Sequence, residues 1–224
     1  VRTFGLTRNC DIRAEAVQTE GNSIQAKVFE DNNLLGTIRL NIPGIHNLKN
    51  ALAAITVARQ LQIPFDIIAQ ALEEFHGVYR RFDIKGERNE VLVIDDYAHH
   101  PSEVKATLNA ARAGWDRRIV AAFQPHTFSR TKALCDDFAA SFDDADLLTV
   151  TDIYPARETP IEGVTGKLIA DAAVKYGHKN VVYLPTFEDI RRELPGLLQS
   201  GDIFISIGAG NICNISDALY NETF

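Results

Sequence analysis

The segment Asp95-Asp-Tyr-Ala-His-His-Pro101 carries two carboxylates and two imidazoles within its first six residues. Such a mixture suits proton transfer, hydrogen bonding to a polar ligand, or metal ligation. Three further stretches carry comparable groups. Gln124-Pro-His-Thr-Phe-Ser-Arg130 supplies His126 and Arg130, and Asp152-Ile-Tyr-Pro-Ala-Arg-Glu158 supplies Arg157 and Glu158. Gly208-Ala-Gly-Asn211 is a small-residue turn where a ligand can approach backbone. Arg80-Arg81 stands beside a change in sequence pattern, where it reads either as a solvated pair or as a phosphate clamp that acts when domains close.

Each signal has a structural alternative. The Asp95–His100 stretch also reads as a solvated loop whose aspartate caps the next helix. Gly208-Ala-Gly210 lacks the third glycine of a dinucleotide fingerprint, so a tight turn is the preferred reading. Gly163-Val-Thr-Gly-Lys167 has the wrong spacing for a phosphate loop and no Ser or Thr after its lysine. Asp96, His99, His100 and His126 are metal-binding residue types. Adjacent histidines tend to point apart, however, and we assign no metal site. Ser129 begins an expected helix, whose amino end would favour an anion near His126 and Arg130.

These groups need a scaffold. Val91-Leu-Val-Ile94 reads as a strand buried on both faces, and Pro101 is pre-set for the first turn of a helix that places Val104, Leu108 and Ala111 on one side. From residue 83 onward, strands alternate with helices. The expected strands are 83–87, 90–95, 118–124, 147–152, 180–183 and 202–207. The expected helices are 101–113, 129–142, 164–176, 187–194 and 211–220. The fold class is α/β, with a Rossmann-like, mostly parallel sheet in this carboxyl-terminal domain, residues 83–224. With right-handed connections, all four chemically interesting loops share the carboxyl edge of that sheet, where open α/β folds bind ligands. Residues 1–82 read as a partial domain. It has short strands, including a hairpin or edge ribbon at 24–40, followed by an αα-hairpin at 46–60 and 64–75.

The bulk numbers restrict the partners. The 224 residues include 30 acidic and 23 basic side chains, for a net charge of -7, which argues against general binding to nucleic acid or anionic membranes. No stretch has the length and apolarity of a membrane span. Three scattered cysteines give no disulfide framework or zinc ribbon, and we expect a cytoplasmic protein. The chain starts at Val1, contains no methionine and opens in what reads as mid-domain, so we expect a piece of a longer protein.

Taken together, the motifs resemble the Mur ligases. Gly44-Ile-His-Asn-Leu-Lys-Asn-Ala51 is similar to the family's G-x-H-N-x-x-N-A segment. Asp95–Pro101, Phe123-Gln-Pro-His126 with Arg130-Thr131, Asp152–Tyr154 with Ala156–Glu158, and Gly208–Ile212 resemble the branch that adds L-alanine to UDP-N-acetylmuramate in peptidoglycan biosynthesis. The resemblance implies ATP-dependent amide formation through an acyl phosphate. It implies His46, Asn47 and Asn50 beside adenine, Asp96 on the ribose, and Arg81 on the phosphates. It places His99, His126, Arg130 and Arg157 on the muramoyl substrate or its acyl phosphate, with Arg81 and His99 the catalytic pair. Thr127 stands where some members carry arginine, leaving Arg130 a larger share of anion binding. The resemblance also places a uridine-nucleotide domain, a phosphate loop and most Mg2+ ligands upstream of this segment, so the isolated segment is expected to be inactive. Three rivals remain at this stage: a murein peptide ligase of cell-wall recycling, a metal-dependent hydrolase using Asp96, His99, His100 and His126, and a non-catalytic nucleotide-binding module.

Overall fold

Alternating apolar and polar residues build the first sheet. The computed structural model describes residues 1–221 and divides into two compact units, Val1–Gly77 with Ala113–Trp115 and Val78–Arg112 with Asp116–Phe224. In the first unit, β1 (Phe4–Gly5), β2 (Ile12–Glu20), β3 (Ser23–Glu30) and β4 (Asn33–Leu40) lie in sequence order in one sheet. Only the β1–β2 pairing is parallel. Ile24 and Ala26 pair across the ladder with Leu40 and Ile38. With Val28, they pack against Leu48, Leu52 and Ile55 of α1 (Ile45–Gln60) and Ile68 of α2 (Phe65–Glu73). Full burial of each large aliphatic side chain contributes about 1.5–3 kcal/mol. The expected hairpin is β3–β4, one edge of a four-stranded sheet. A register shift between Glu15 and Gln18, with Ala16 at φ 51°, breaks the alternation of β2.

The second unit alternates strand and helix. Its elements are β5 (Asp83–Arg88), β6 (Val91–Asp96), α3 (Pro101–Gly114), β7 (Ile119–Phe123), α4 (Phe128–Ala133), α5 (Cys135–Ala139), β8 (Leu147–Val150), α6 (Lys167–Tyr176), β9 (Val181–Tyr183), α7 (Phe187–Leu197), β10 (Ile203–Ile207) and α8 (Cys213–Asn221). The sheet order is β5-β6-β10-β7-β8-β9. All neighbours are parallel except the antiparallel edge strand β5. Strands β6, β7, β8 and β10 are buried from end to end, as strands covered on both faces must be. On one face Val93, Val120 and Phe204 pack with Ile190, Leu194 and Ile215 from α7 and α8. On the other, the Phe123 ring lies 5.2 Å from both Phe138 and Phe142.

Several expected helix boundaries move. The helix expected over 129–142 is two short helices, because Leu134 leaves helical geometry (φ -116°, ψ 21°). The helix expected from Val164 begins at Lys167. The one expected from Asn211 begins at Cys213, and the Asn211 side chain accepts a hydrogen bond from Gln124.

Candidate functional site

Register sets the ends of the central strands level. Ile207 pairs with Asp96 on one side and Phe123 on the other, and Phe123 pairs with Val150. The loops leaving these residues therefore start side by side at the carboxyl edge, and the four stretches singled out in the sequence begin there. Two are stitched together: Tyr154 N–H donates to the Pro125 carbonyl at 2.8 Å and Thr127 N–H to the Tyr154 carbonyl at 2.9 Å.

Arg80 ties the edge together from below. Its Nε donates to Asp95 Oδ2 at 2.8 Å, while its terminal nitrogens donate to the Gly208 carbonyl at 2.7 Å and the Gly210 carbonyl at 3.1 Å. Asp95 is fully buried and also accepts from Ser206 Oγ at 2.6 Å. The Arg80 guanidinium lies 5.0 Å from the centre of the Tyr97 ring. Burial by itself would lower its pKa. The hydrogen bond and charge of Asp95 outweigh that and hold it above the usual arginine value. Arg80 is therefore a lock for the site, a role the sequence reading missed. A buried aspartate after an apolar run demands a cation, and that was the available signal. The Gly208–Gly210 turn is closely packed against its neighbours. A Cβ on Gly208, which has φ 155°, would stand 2.8 Å from the Gln124 carbonyl oxygen, and one on Gly210 would stand 2.6 Å from Tyr154 Cγ.

Two left-handed, non-glycine residues, Arg80 (φ 59°) and Phe82 (φ 47°), bracket Arg81. Such conformations cost about 1–3 kcal/mol each and persist only where the surroundings hold them. Phe82 is held because its N–H donates to Asp96 Oδ2 at 2.9 Å. Asp96 Oδ1 accepts from Ala98 N–H at 2.8 Å, and the Thr107 side chain is a third hydrogen-bond partner of the carboxylate. Burial pushes the Asp96 carboxyl up, partly offset by these amides. Arg81 is about half exposed (49%), with one terminal nitrogen 3.7 Å from Glu103 and its guanidinium 5.5 Å from the Tyr97 ring centre.

No aspartate caps α3. Glu103, the third residue of that helix, reaches back and accepts from His99 N–H at 2.9 Å and His100 N–H at 3.2 Å, which is the carboxylate half of a capping box. Burial would raise Glu103, but these amides and the nearby His99 and Arg81 hold it below the usual carboxylate range. His99 Nδ1 lies 3.0 Å from the Tyr97 carbonyl oxygen and 3.4 Å from Glu103 Oε2. His100 is exposed, with Nδ1 3.0 Å from Ser102 Oγ.

His126 sits 5.7 Å from His99, ring centre to ring centre, and stacks on Tyr154 at the same separation. Arg130 donates to His126 Nδ1 at 3.1 Å. Burial, then the charge of Arg130, keeps the imidazole pKa below its ordinary value of 6.5. The anion expected at the amino end of α4 is supplied from within the chain: Glu158 accepts from Ser129 N–H at 2.8 Å and from its hydroxyl. Those bonds keep Glu158 ionised to lower pH than usual. Arg157 is exposed and makes no ion pair among the described residues. The residues brought together at this edge are thus Arg81, Asp96, His99, His126 and Arg130.

His46, Asn47 and Asn50 belong to the first unit, at the start of α1. Gly44 occupies the cap position. The Asn47 amide donates to the Pro43 carbonyl at 2.7 Å, so it does not cap the helix, and Asn50 Nδ2 lies 3.5 Å from Asn47 Oδ1. His46 and Asn50 are exposed.

The carboxyl edge presents cationic donors, imidazoles and a buried carboxylate, a set suited to a polyanionic ligand with hydroxyl groups. No group of three His, Cys, Asp or Glu side chains among the described residues is arranged to hold a metal ion. The hydrolase set is dispersed, because His100 turns to Ser102 and the Asp96 oxygens turn to backbone amides.

Residues 80–210 match the family described as Mur ligase, glutamate ligase domain. A UDP-N-acetylmuramate–L-alanine ligase of Salinibacter ruber is 48% identical over 219 residues, covering 97% of this chain and 46% of the relative. A relative of the same name from Geotalea uraniireducens is 46% identical over 220 residues, covering 98% of this chain and 48% of its own length. The crystal structure of a UDP-N-acetylmuramate–alanine ligase from Thermotoga maritima superposes with a TM-score of 0.80 at 30% identity, covering 97% of this chain and 46% of that one. A murein peptide ligase from Psychrobacter arcticus gives a TM-score of 0.64 at 26% identity, covering 100% of this chain and 47% of that one. The chain spans about half the length of the curated relatives it matches.

Proposed function

We propose that this chain, which belongs to the Mur ligase family, is the carboxyl-side half of an ATP-dependent ligase that joins L-alanine to UDP-N-acetylmuramate in peptidoglycan biosynthesis. The observation that carries the reading is 48% identity across 97% of the chain to a ligase of that name. The reaction has two steps. The muramoyl carboxylate attacks the γ-phosphate of ATP, giving ADP and an acyl phosphate. The alanine amine then displaces phosphate from the acyl carbon. Both steps need neutralised charge and exclusion of water.

The residues take roles that match their surroundings. Asp96 accepts from the ribose hydroxyls, and Arg81 supplies charge to the phosphates. His99, His126, Arg130 and Arg157 address the muramoyl substrate and its acyl phosphate. In the first unit, His46, Asn47 and Asn50 contribute hydrogen bonds to adenine. Magnesium accompanies ATP in chemistry of this kind, but the described residues offer it no donor set: Asp96 already serves two amides and no carboxylate cluster forms beside it. We assign its ligands to an upstream segment. The isolated chain is accordingly inactive.

The test uses protein expressed from the whole reading frame that contains these residues. ADP release is followed with UDP-N-acetylmuramate and either L-alanine or the tripeptide used by murein peptide ligases. Alanine-dependent ADP release is the expected result. Preference for the tripeptide, or turnover by the 224 residues alone, overturns the reading.

A further inference from the structure

The two imidazoles at the carboxyl edge are held in opposite tautomers. His99 Nδ1 faces two groups that only accept, the Tyr97 carbonyl oxygen at 3.0 Å and Glu103 Oε2 at 3.4 Å. It therefore carries the proton, and in the neutral ring Nε2 is left with a lone pair. His126 Nδ1 faces Arg130, a group that only donates, at 3.1 Å. It therefore accepts, and its proton sits on Nε2. The lowered pKa of His126 agrees with this arrangement, because Arg130 opposes a second proton on that ring. One ring offers a base and the other a hydrogen-bond donor, with their centres 5.7 Å apart.

We propose that His99 is the base that deprotonates the incoming amine, that Glu103 is the positioning residue fixing its acceptor tautomer, and that His126 serves as a donor only. Glu103 is placed for this by its position in α3. The same carboxylate oxygen that meets His99 Nδ1 also accepts the His99 and His100 backbone N–H groups, so loop and ring are set together. A carboxylate behind an imidazole holds tautomer and orientation and stabilises the imidazolium that forms.

The inference rests on the ligase reading for its chemistry, which balances as follows. The ammonium of the amino acid gives one proton to His99 Nε2. Its nitrogen forms a C–N bond to the acyl carbon. The C–O bond to the phosphate oxygen breaks with its electron pair on that oxygen. The departing phosphate takes the second nitrogen proton, and His99 later returns its proton to water.

Two measurements test it. In the 224-residue chain, nitrogen-15 spectra of the histidine rings report tautomers directly, without any turnover. His99 is expected with Nδ1 protonated and His126 with Nε2 protonated, and Glu103→Ala should release His99 toward the other form. Wild-type His99 protonated on Nε2, or a tautomer unmoved in E103A, overturns the proposal. In the whole-frame protein, hydroxylamine replaces alanine as a nucleophile that is already neutral and needs no base. His99→Gln should lower alanine ligation relative to hydroxamate formation by about 10²-fold or more, the usual contribution of a general base. Equal loss of both products overturns the role of His99. Absence of both in the wild type would instead reject the ligase reading, so the two failures are distinguishable.

Discussion

Removing the Arg80 side chain should destabilise the second unit severely, because it strands a charge. Asp95 is fully inaccessible and the Arg80 side chain is only 12% exposed. In Arg80→Ala, Asp95 keeps a single partner, Ser206, and the Gly208 and Gly210 carbonyls lose their donor. Breaking a buried pair from one side costs about 3–5 kcal/mol. The two carbonyls lie at the loop edge, where water can replace the donor, so each adds well under ~1 kcal/mol. A total near ~4 kcal/mol is a large share of the 5–15 kcal/mol typical of a domain, and for a chain of this size it lowers Tm by about 10 °C. Guanidinium denaturation followed by far-ultraviolet circular dichroism measures the loss in R80A, Asp95→Ala and the double variant. The double variant should cost less than the sum of the singles by at least ~1.5 kcal/mol, because it removes the stranded charge together with its partner. A loss below about 1 kcal/mol in R80A, or an additive cycle, would show that the pair contributes little and refute this account.

Two further outcomes follow from the geometry. Arg130→Gln removes one of the causes holding His126 down, while burial, the larger cause, remains. A folded pKa below the unfolded value means stability that is complete above about 6.5 and is lost as pH falls through the folded value. In R130Q the imidazole proton resonance of His126 should titrate at higher pH and the acid-side loss of stability should shrink; an unchanged titration contradicts the Arg130 contact. At Gly166, which precedes α6, a Cβ would overlap the Thr151 backbone carbonyl. Gly166→Ala should cost at least about 1–3 kcal/mol in a thermal melt, since backbone on both sides must shift, and a melt unchanged within 1 °C would disprove the close approach.

Much of the second unit could be read from periodicity. Val104, Leu108 and Ala111, placed on one face of α3 by their spacing, are fully buried, and the apolar runs at 91–94, 119–123 and 203–207 are the central strands. What escaped depends on tertiary pairing. Sequence spacing does not reveal that β10 inserts between β6 and β7, nor that Glu158 reaches α4 across 29 residues. The candidate residues were recognisable by type. Their states were not: that Asp95 belongs to Arg80, and that His99 and His126 differ in tautomer, follows only from which acceptor or donor stands about 3 Å away.

The position of β10 also bears on how the protein is made. This strand is the last of its sheet in sequence, yet it occupies an interior place, with β5-β6 on one side and β7-β8-β9 on the other. A nascent chain that has not yet exposed residue 207 holds two half-sheets whose facing edges, β6 and β7, are buried along their whole length in the finished sheet. Those edges can neither pair with each other in the native register nor be covered, so the half-made unit is open to aggregation until its end emerges. Closure of this sheet thus waits for β10, and a chain stopped before that strand carries the loops after β6, β7 and β8 without the strand that joins the two halves.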